Sequence, residues 1–234
     1  MKKSMLLSLV VCGLVISSAV PASAATVYDD TQVAIYGGGN PNTGWVTSFN
    51  PNLNLNLSLR AKDRSDGSTP NNGAGTYLFS PGSYAGPVRA KWNYEFSINT
   101  DPSNGGLQKL DDFDFYLSAN GPGFGPFTIN VLTTYLDNSY GDNTTANGAG
   151  VEGLSGVFAP FNNIGQNSQN IVFAGGDLNA LGLYSFSLYA TALGAGSGGA
   201  RVAQVDMAVL VPEPSSLALF GIGSLVFLQR IRRR

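Results

Sequence analysis

The side chains that could do chemistry in this 234-residue chain are mainly carboxylates, because the sequence has no histidine and its single cysteine, Cys12, lies in an apolar N-terminal stretch. Zinc sites and Ser-His-Asp or Cys-His arrangements are therefore excluded from the rest of the chain. Calcium remains possible, since it is bound by several carboxylate and carbonyl oxygens. Three Asp-rich stretches offer such oxygens, namely Asp111-Asp112-Asp114, residues 63–67 and residues 137–143.

Asp111, Asp112 and Asp114 form the densest of these candidate metal sites. Asp112 and Asp114 fall on one face of a predicted strand, roughly 7 Å apart, so they could share one cation. The alternative is a solvated strand face whose charge discourages edge pairing. Residues 63–67 lack the EF-hand spacing and residues 137–143 suit Asx-turns, so polar loops are the alternative at both places. The sequence requires no cofactor.

Glu95 and Glu152 are the only glutamates outside the C-terminal tail, and they are the candidates for a glycoside hydrolase. That reaction needs two carboxyl groups about 5 to 9.5 Å apart in one cleft. Nothing in the sequence brings these two glutamates together, and a cross-strand cation is the simpler partner for Glu95. We therefore expect a protein that is not an enzyme and has no catalytic residues.

Several aromatic side chains could stack on sugar rings if they were exposed in one groove. Asn-rich loops could then bind the sugar hydroxyls, which would make the protein a carbohydrate-binding module. Aromatic residues in strands more often belong to the core or to cross-strand pairs, and we expect that role for Trp92. The candidates are Tyr36, Trp45, Tyr77, Tyr84, Tyr116, Tyr135 and Tyr140.

The elements that position these residues are predicted to be strands, because apolar residues alternate with polar ones at a period of two. Clusters of Gly, Asn and Pro separate the apolar runs and supply turns. The predicted strands are residues 31–36, 44–49, 53–59, 88–98, 113–117, 127–131, 170–174, 183–192 and 201–211, and one short helix is predicted at 162–169. The pattern indicates an all-β fold, an antiparallel β-sandwich of jelly-roll or immunoglobulin-like type, over residues 26–210.

The strand from residue 88 to residue 98 shows the alternation best. Its apolar residues are expected to face the core, whereas its polar residues, Glu95 among them, are expected to face water.

The predicted body is acidic. Of thirteen basic residues, two lie in the N-terminal stretch and four in the tail, and one of fifteen acidic residues lies in the tail. The body thus keeps seven basic and fourteen acidic residues, and its net charge of about −7 argues against nucleic acid and anionic lipid as partners. It has no cysteine, so core packing has to supply stability without disulfides.

The N-terminus has the pattern of a secretory signal peptide, predicted at residues 1–25. Lys2 and Lys3 give a positive start, and residues 5–20 form an apolar run. Small residues follow at Ala22, Ala24 and Ala25, which predicts cleavage after Ala24 or Ala25. A buried N-terminal helix is the alternative.

The tail, residues 211–234, combines three features in a fixed order. Pro212, Glu213 and Pro214 come first and favour an extended backbone. A short transmembrane helix is predicted next, and its apolar residues are Leu217, Ala218, Leu219, Phe220, Leu225, Val226, Phe227 and Leu228. A stop-transfer cluster of Arg230, Arg232, Arg233 and Arg234 ends it. The apolar run is shorter than the roughly 20 residues of a comfortable span, which favours a transient hold over a permanent anchor. An ordinary tail anchor and an amphipathic helix packed on the body are the alternatives.

In these three features the tail resembles the PEP-CTERM sorting signal of Gram-negative, often biofilm-forming, bacteria. The resemblance implies an exosortase as the partner that reads Pro212-Glu213-Pro214, and removal of the tail. It also implies export across the inner membrane, a membrane-held precursor, and delivery to the cell surface or the extracellular matrix. A structural or adhesive role in extracellular polysaccharide is then expected for the body. Sugar binding, with or without calcium, is the alternative, and glycoside hydrolysis is a weaker one.

Overall fold

The structure is a computed structural model, and it describes residues 24–213 apart from residues 85 and 87. The strands are β1 (Ala25–Asp30), β2 (Trp45–Asn50), β3 (Leu55–Asp63), β4 (Thr76–Leu78), β5 (Trp92–Asn99), β6 (Phe113–Gly121), β7 (Phe124–Asn130), β8 (Asn138–Gly141), β9 (Val151–Gly153), β10 (Ile164–Asn170), β11 (Gly182–Ala192) and β12 (Arg201–Val211). Two single-turn helices, α1 (Val131–Thr134) and α2 (Ser155–Phe158), and three 3₁₀ turns (Leu110–Asp112, Ala159–Phe161 and Ile171–Ala174) connect them.

The described strands form two sheets. A seven-stranded sheet has the order β1-β2-β3-β5-β10-β8-β9, and a five-stranded sheet has the order β4-β12-β11-β6-β7. Neighbouring strands are antiparallel except β4 and β12, which run parallel. The prediction of a mainly antiparallel all-β fold is therefore confirmed.

The main core lies between the two sheets and is rich in aromatic rings. Trp92 stacks on Phe79 at 5.8 Å between ring centroids and meets Tyr184 edge-on at 5.2 Å. Tyr94 stacks on Phe186 at 5.1 Å, so β5 of one sheet is locked against β11 of the other. Trp92 is a core residue, as predicted, and such pairs stabilise a fold beyond the area that they bury.

The outer face of the seven-stranded sheet is also covered, which corrects the prediction of one wet face on the central strand. All eight residues of β5 are buried, polar ones included. The cover is the segment between β1 and β2, residues 31–44, which we call the strap. Gln166 of β10 holds it with two hydrogen bonds of 2.8 Å, one from the Ile35 backbone N–H and one to the Val33 carbonyl oxygen.

The segment from residue 146 to residue 150 holds the strap from the other side. The backbone N–H of Gly148 donates to Ala34, and that of Gly150 donates to Ile35, each at 2.9 Å. The Asn147 side chain donates to the Asn40 carbonyl oxygen at 2.8 Å. The strap, which has the composition of a loop, is therefore held to the body by hydrogen bonds at several points along its length.

Four local predictions are wrong. Residues 31–36 lie in the strap, and the first strand precedes them. Residues 162–169 form most of β10 instead of a helix, and residues 171–174 form a 3₁₀ turn instead of a strand. Residues 88–91 precede β5 in an irregular hairpin, and Val88 is exposed.

No helix in the described part of the chain is long and apolar enough to cross a membrane. The predicted signal peptide up to residue 23, which includes Ala22, lies outside the described residues. The same is true of Pro214, the apolar residues 217–228 and the arginines at 230, 232, 233 and 234.

Candidate functional site

Beneath the strap, β3 and β5 place opposite charges directly across from each other. Arg60 and Glu95 are register partners, and both side chains are fully buried. The Arg60 Nε lies 2.5 Å from Glu95 Oε2. Lys62, two residues further along the same face of β3, brings its Nζ within 2.6 Å of Glu95 Oε1. One buried carboxylate therefore balances two cations, and we call this group with Tyr36 the charge cluster.

The strap completes the hydrogen bonding of the charge cluster. The Tyr36 hydroxyl donates to Glu95 and accepts from Arg60 Nη2 at 2.7 Å. Arg60 Nη1 donates to the backbone carbonyl oxygens of Pro41 at 2.6 Å and Thr43 at 2.8 Å. Such satisfaction is what makes buried charges tolerable, since an unpaired one would be strongly destabilising.

The electrostatics of the cluster favour a fixed protonation state. Burial by itself raises the pKa of Glu95, but Arg60 and Lys62 outweigh it and hold that pKa below its ordinary value. Burial and the Glu95 charge raise the pKa of Tyr36 well above its ordinary value. Glu95 is thus an ionised acceptor and Tyr36 a neutral donor at neutral pH, which suits a structural lock and not an acid–base catalyst.

A polar cavity of about 340 Å³ opens beside the charge cluster. Lys62, Arg64 and the carboxylate of Asp63 line it together with amide groups from Asn40 and Asn93, so it could accept a polar group. Arg64 Nη1 donates to Asn93 Oδ1 at 3.0 Å, whereas the buried Arg64 Nε has no hydrogen-bond partner among the residues described.

A second cavity, a trough of about 520 Å³, lies on the outer face of the five-stranded sheet. Hydroxyl groups cross its floor, because Ser187 of β11 pairs with Ser118 of β6, which pairs with Thr128 of β7. Asp206 of β12 lies on the other side of Ser187. The Ser118 and Thr128 hydroxyls bond each other at 2.7 Å, and the buried Ser187 Oγ has no partner among the described residues.

An aromatic pair stands in the next row of residues on the same face. The rings of Tyr116 and Tyr189 stack at 5.6 Å, and the Arg201 guanidinium lies 4.0 Å from the Tyr189 ring centroid. Tyr189 itself is buried, which leaves the half-buried Tyr116 beside the trough.

The structure does not bring the predicted metal ligands together. Asp112 accepts a hydrogen bond from the Lys109 backbone N–H at 2.8 Å, and Asp114 accepts one from Gly194 at 2.9 Å. Asp111 is exposed on the 3₁₀ turn before β6. Within residues 24–213, leaving aside the two undescribed positions, no group of three acidic side chains is close enough to hold a metal ion.

The two other Asp-rich stretches have turn geometry. In residues 63–67, Asp63 accepts from the Ser65 backbone N–H at 2.7 Å. In residues 137–143, Asp142 accepts from the Thr144 backbone N–H at 2.8 Å. Both are the Asx-type contacts that the composition suggested as the alternative to calcium binding.

Glu95 and Glu152 do not form a catalytic pair. Glu152 lies on β9, and the register across β8 and β10 aligns it with Ser97 of β5, two residues from Glu95. Three strand spacings separate β9 from β5, which places the backbones of the two glutamates at least about 14 Å apart across the sheet. That exceeds the separation that glycoside hydrolysis uses, and Glu95 has no access to water.

The aromatic candidates are mostly buried, as expected for core residues. Trp45, Tyr77 and Tyr140 are buried, and Tyr36 serves the charge cluster. Tyr135 bonds Tyr94 hydroxyl to hydroxyl at 2.5 Å. Tyr84 is exposed in the hairpin between β4 and β5, whereas Tyr116 is half-buried on β6. These candidates therefore form no continuous aromatic platform within the described residues.

Sequence reasoning predicted a cation for Glu95 but missed Arg60, Lys62 and Tyr36 as its partners. The available signal was the continued alternation after Leu59, where Arg60 and Lys62 flank Ala61. Nothing in the sequence of the strap identifies Tyr36 as the group that covers them.

The sorting motif begins where the folded body ends. Val211, the last residue of β12, pairs with Gly182 and is buried. Pro212 and the exposed Glu213 follow without an intervening linker. Ala24 and Ala25 are exposed at the start of β1, so the predicted signal cleavage point lies at the surface of the body.

The family described as the PEP-CTERM protein-sorting motif matches residues 210–234. No curated protein and no solved structure matches the chain.

The matched residues include the Pro-Glu-Pro unit, the apolar run and the arginine cluster, so the chain contains a PEP-CTERM sorting domain. The sorting motif indicates an exported protein that an exosortase, a membrane enzyme, recognises, with a membrane-anchored precursor of the kind found in Gram-negative bacteria.

Proposed function

We propose that the protein is a non-enzymatic β-sandwich, of jelly-roll or immunoglobulin-like type, that acts in the extracellular matrix or at the cell surface after its tail is removed. The observation that carries this proposal is the direct junction between Val211, in the core, and Pro212-Glu213-Pro214. An extended segment at the edge of a rigid body suits a processing enzyme, which needs backbone that it can reach.

The body is proposed to be structural or adhesive in extracellular polysaccharide. Two observations support this proposal. The buried charge cluster serves stability, and the separation of Glu95 and Glu152 removes that pair as candidates for hydrolysis. Mass spectrometry of the mature protein tests the sorting part. We expect an N-terminus at residue 25 or 26 and a C-terminus near residues 212–214, whereas a mature chain that retains residues 217–234 contradicts it.

Carbohydrate binding is the second candidate function, and the hydroxyl-lined trough favours it. Sugar hydroxyls could bond with Ser187 and Asp206, and Tyr116 could stack beside them. Glycan-array binding of the body with and without a chelator tests this idea. Binding that Tyr116→Ala weakens and chelator leaves intact supports the trough without calcium, and the absence of binding contradicts it.

A further inference from the structure

The tail is short enough to hold one end of the body against the membrane. Five residues, 212–216, separate Val211 from the apolar run that starts at Leu217. Even fully extended, they span at most about 18 Å. The headgroup layer on each side of the hydrocarbon core occupies about 6 Å of that distance. While the tail is in the membrane, the end of β12 therefore lies within about 20 Å of the hydrocarbon.

The end of the body from which the tail leaves, the exit end, can be identified from the strand register. The last residue of β12 pairs with the first residue of β11, and the parallel β4 ends beside Leu210. The backbone N–H of Phe79 donates to Leu210 at 3.1 Å, so the hairpin that follows β4 also starts at this end.

A row of exposed leucines crosses three strands at the exit end. Leu210 of β12 pairs with Leu183 of β11 on one side and with Leu78 of β4 on the other. Directly opposed residues point to the same face of a sheet, so the three side chains form one continuous apolar strip. Leu183 is 58% exposed, Leu78 is 54% exposed and Leu210 is 36% exposed, so the strip reaches solvent.

A second apolar group lies at the same end of the body, on the 3₁₀ turn after β10 and the hairpin beside it. Gly82 at the base of the hairpin donates to the Leu178 carbonyl oxygen at 3.3 Å. Further along it, the Arg89 guanidinium lies 5.8 Å from the ring centroid of Phe173, whose side chain is 65% exposed. An exposed aromatic ring beside an arginine is a combination that suits the headgroup region of a bilayer.

We propose that the exit end is a membrane-docking face, on which the leucine row (Leu78, Leu183 and Leu210) and Phe173 enter the phospholipid headgroup layer while the tail holds the precursor. This proposal rests on the tail-held precursor of the proposed function. Docking orients the body and keeps residues 212–216 at the membrane surface, where a membrane enzyme reads them.

The test places an environment-sensitive fluorophore at single cysteines in the full chain, in a Cys12→Ser background, reconstituted into phosphatidylglycerol-containing vesicles. Phe173→Cys and, independently, Leu183→Cys report on the docking face. Leu107→Cys is the matched control, because Leu107 is 88% exposed at the opposite end. We expect blue-shifted emission and quenching by headgroup-spin-labelled lipid at positions 173 and 183, and neither at 107.

Equal emission and equal quenching at positions 107, 173 and 183 would overturn the docking face. Flotation of the same samples separates this outcome from a failure of the tail. A chain that floats with the vesicles while the three probes behave alike disproves docking only, whereas a chain that does not float disproves both the tail-held precursor and docking.

Discussion

Arg60 and Glu95 lie directly opposite each other in β3 and β5, and their ion pair is completely shielded from water by the strap. Lys62 and the Tyr36 hydroxyl complete the bonding of the same carboxylate. A carboxylate with this many partners is ionised and fixed, so its role is to join the strap to the sheet.

Removing the Glu95 charge is expected to destabilise the body strongly. Glu95→Gln leaves Arg60 and Lys62 buried without a counter-charge, and breaking a buried ion pair in this way costs about 3 to 5 kcal/mol. Urea unfolding of the full chain measures the loss. Glu152→Gln is the control, since Glu152 is exposed on β9 and its replacement is expected to change stability by less than about 0.5 kcal/mol. Equal stabilities of the two variants would contradict the account.

The charge cluster also predicts that the free energy of unfolding falls at acidic pH. The folded-state pKa of Glu95 is held below its ordinary value, so its contribution is present above the unfolded pKa of about 4.3. That contribution is lost as pH falls below this value and through the folded pKa. Urea unfolding at a series of acidic pH values should show a steeper loss in the native protein than in Glu95→Gln. Parallel pH profiles would show that Glu95 is not the group responsible.

Buried tyrosines predict a loss of stability at alkaline pH. Burial raises the pKa of Tyr135 to about 12, and burial raises those of Tyr36 and Tyr94 well above their ordinary value. Above about pH 10 the unfolded chain therefore releases protons that the folded chain retains, so stability falls as pH rises. As pH rises, the absorbance of these tyrosines as tyrosinate should appear together with the loss of the native circular dichroism of the protein. Full tyrosinate absorbance in a protein that retains its native circular dichroism would contradict their burial.

Substitutions at two glycines with the same φ distinguish the effect of backbone strain from the effect of a clash with the strap. Gly148 and Gly196 both have φ of +70°, where an L side chain is strained. A Cβ on Gly148 would lie 2.4 Å from the Gly38 Cα in the strap, whereas one on Gly196 would have no atom within 4 Å. Gly148→Ala should therefore cost about 2 kcal/mol more than Gly196→Ala in urea unfolding, and it should speed protease cleavage within residues 31–44. Equal costs would mean that residues 146–150 do not hold the strap.

Most of the described strands could be predicted from the sequence, because one face of each is buried between the two sheets and its apolar residues therefore alternate with polar ones. The alternation at Leu183–Ala192 and Arg201–Val211 matched β11 and β12 almost to the residue. The sequence was misleading at β10, where a helix was predicted, because Gly165, Gln166 and Asn167 show no alternation of apolar and polar residues. These residues are buried through side-chain hydrogen bonds, such as the one from Asn167 to Asn138 at 2.9 Å, and not through apolar packing.

For the charge cluster, the sequence predicted a cation beside Glu95 but did not predict that the group is buried. Polar residues on β5 predicted a wet face, because no apolar segment was evident that could cover them. The strap covers them with Tyr36 and with backbone carbonyl groups, and its attachment depends on partners more than a hundred residues away, such as Gln166 and Asn147. The tail, in contrast, was identified from sequence alone, because its three features are local and contiguous.

The most direct test of the account replaces Pro212, Glu213 and Pro214 together with alanine and follows the protein by cell fractionation. We expect the full-length variant to accumulate in the membrane fraction, since the exosortase no longer recognises it, while the native protein is processed and leaves that fraction. The control changes Pro70 and Glu152, the same residue types at exposed positions elsewhere in the body, and should be processed normally. Unchanged processing and release of the Pro212-Glu213-Pro214 variant would contradict tail-directed sorting.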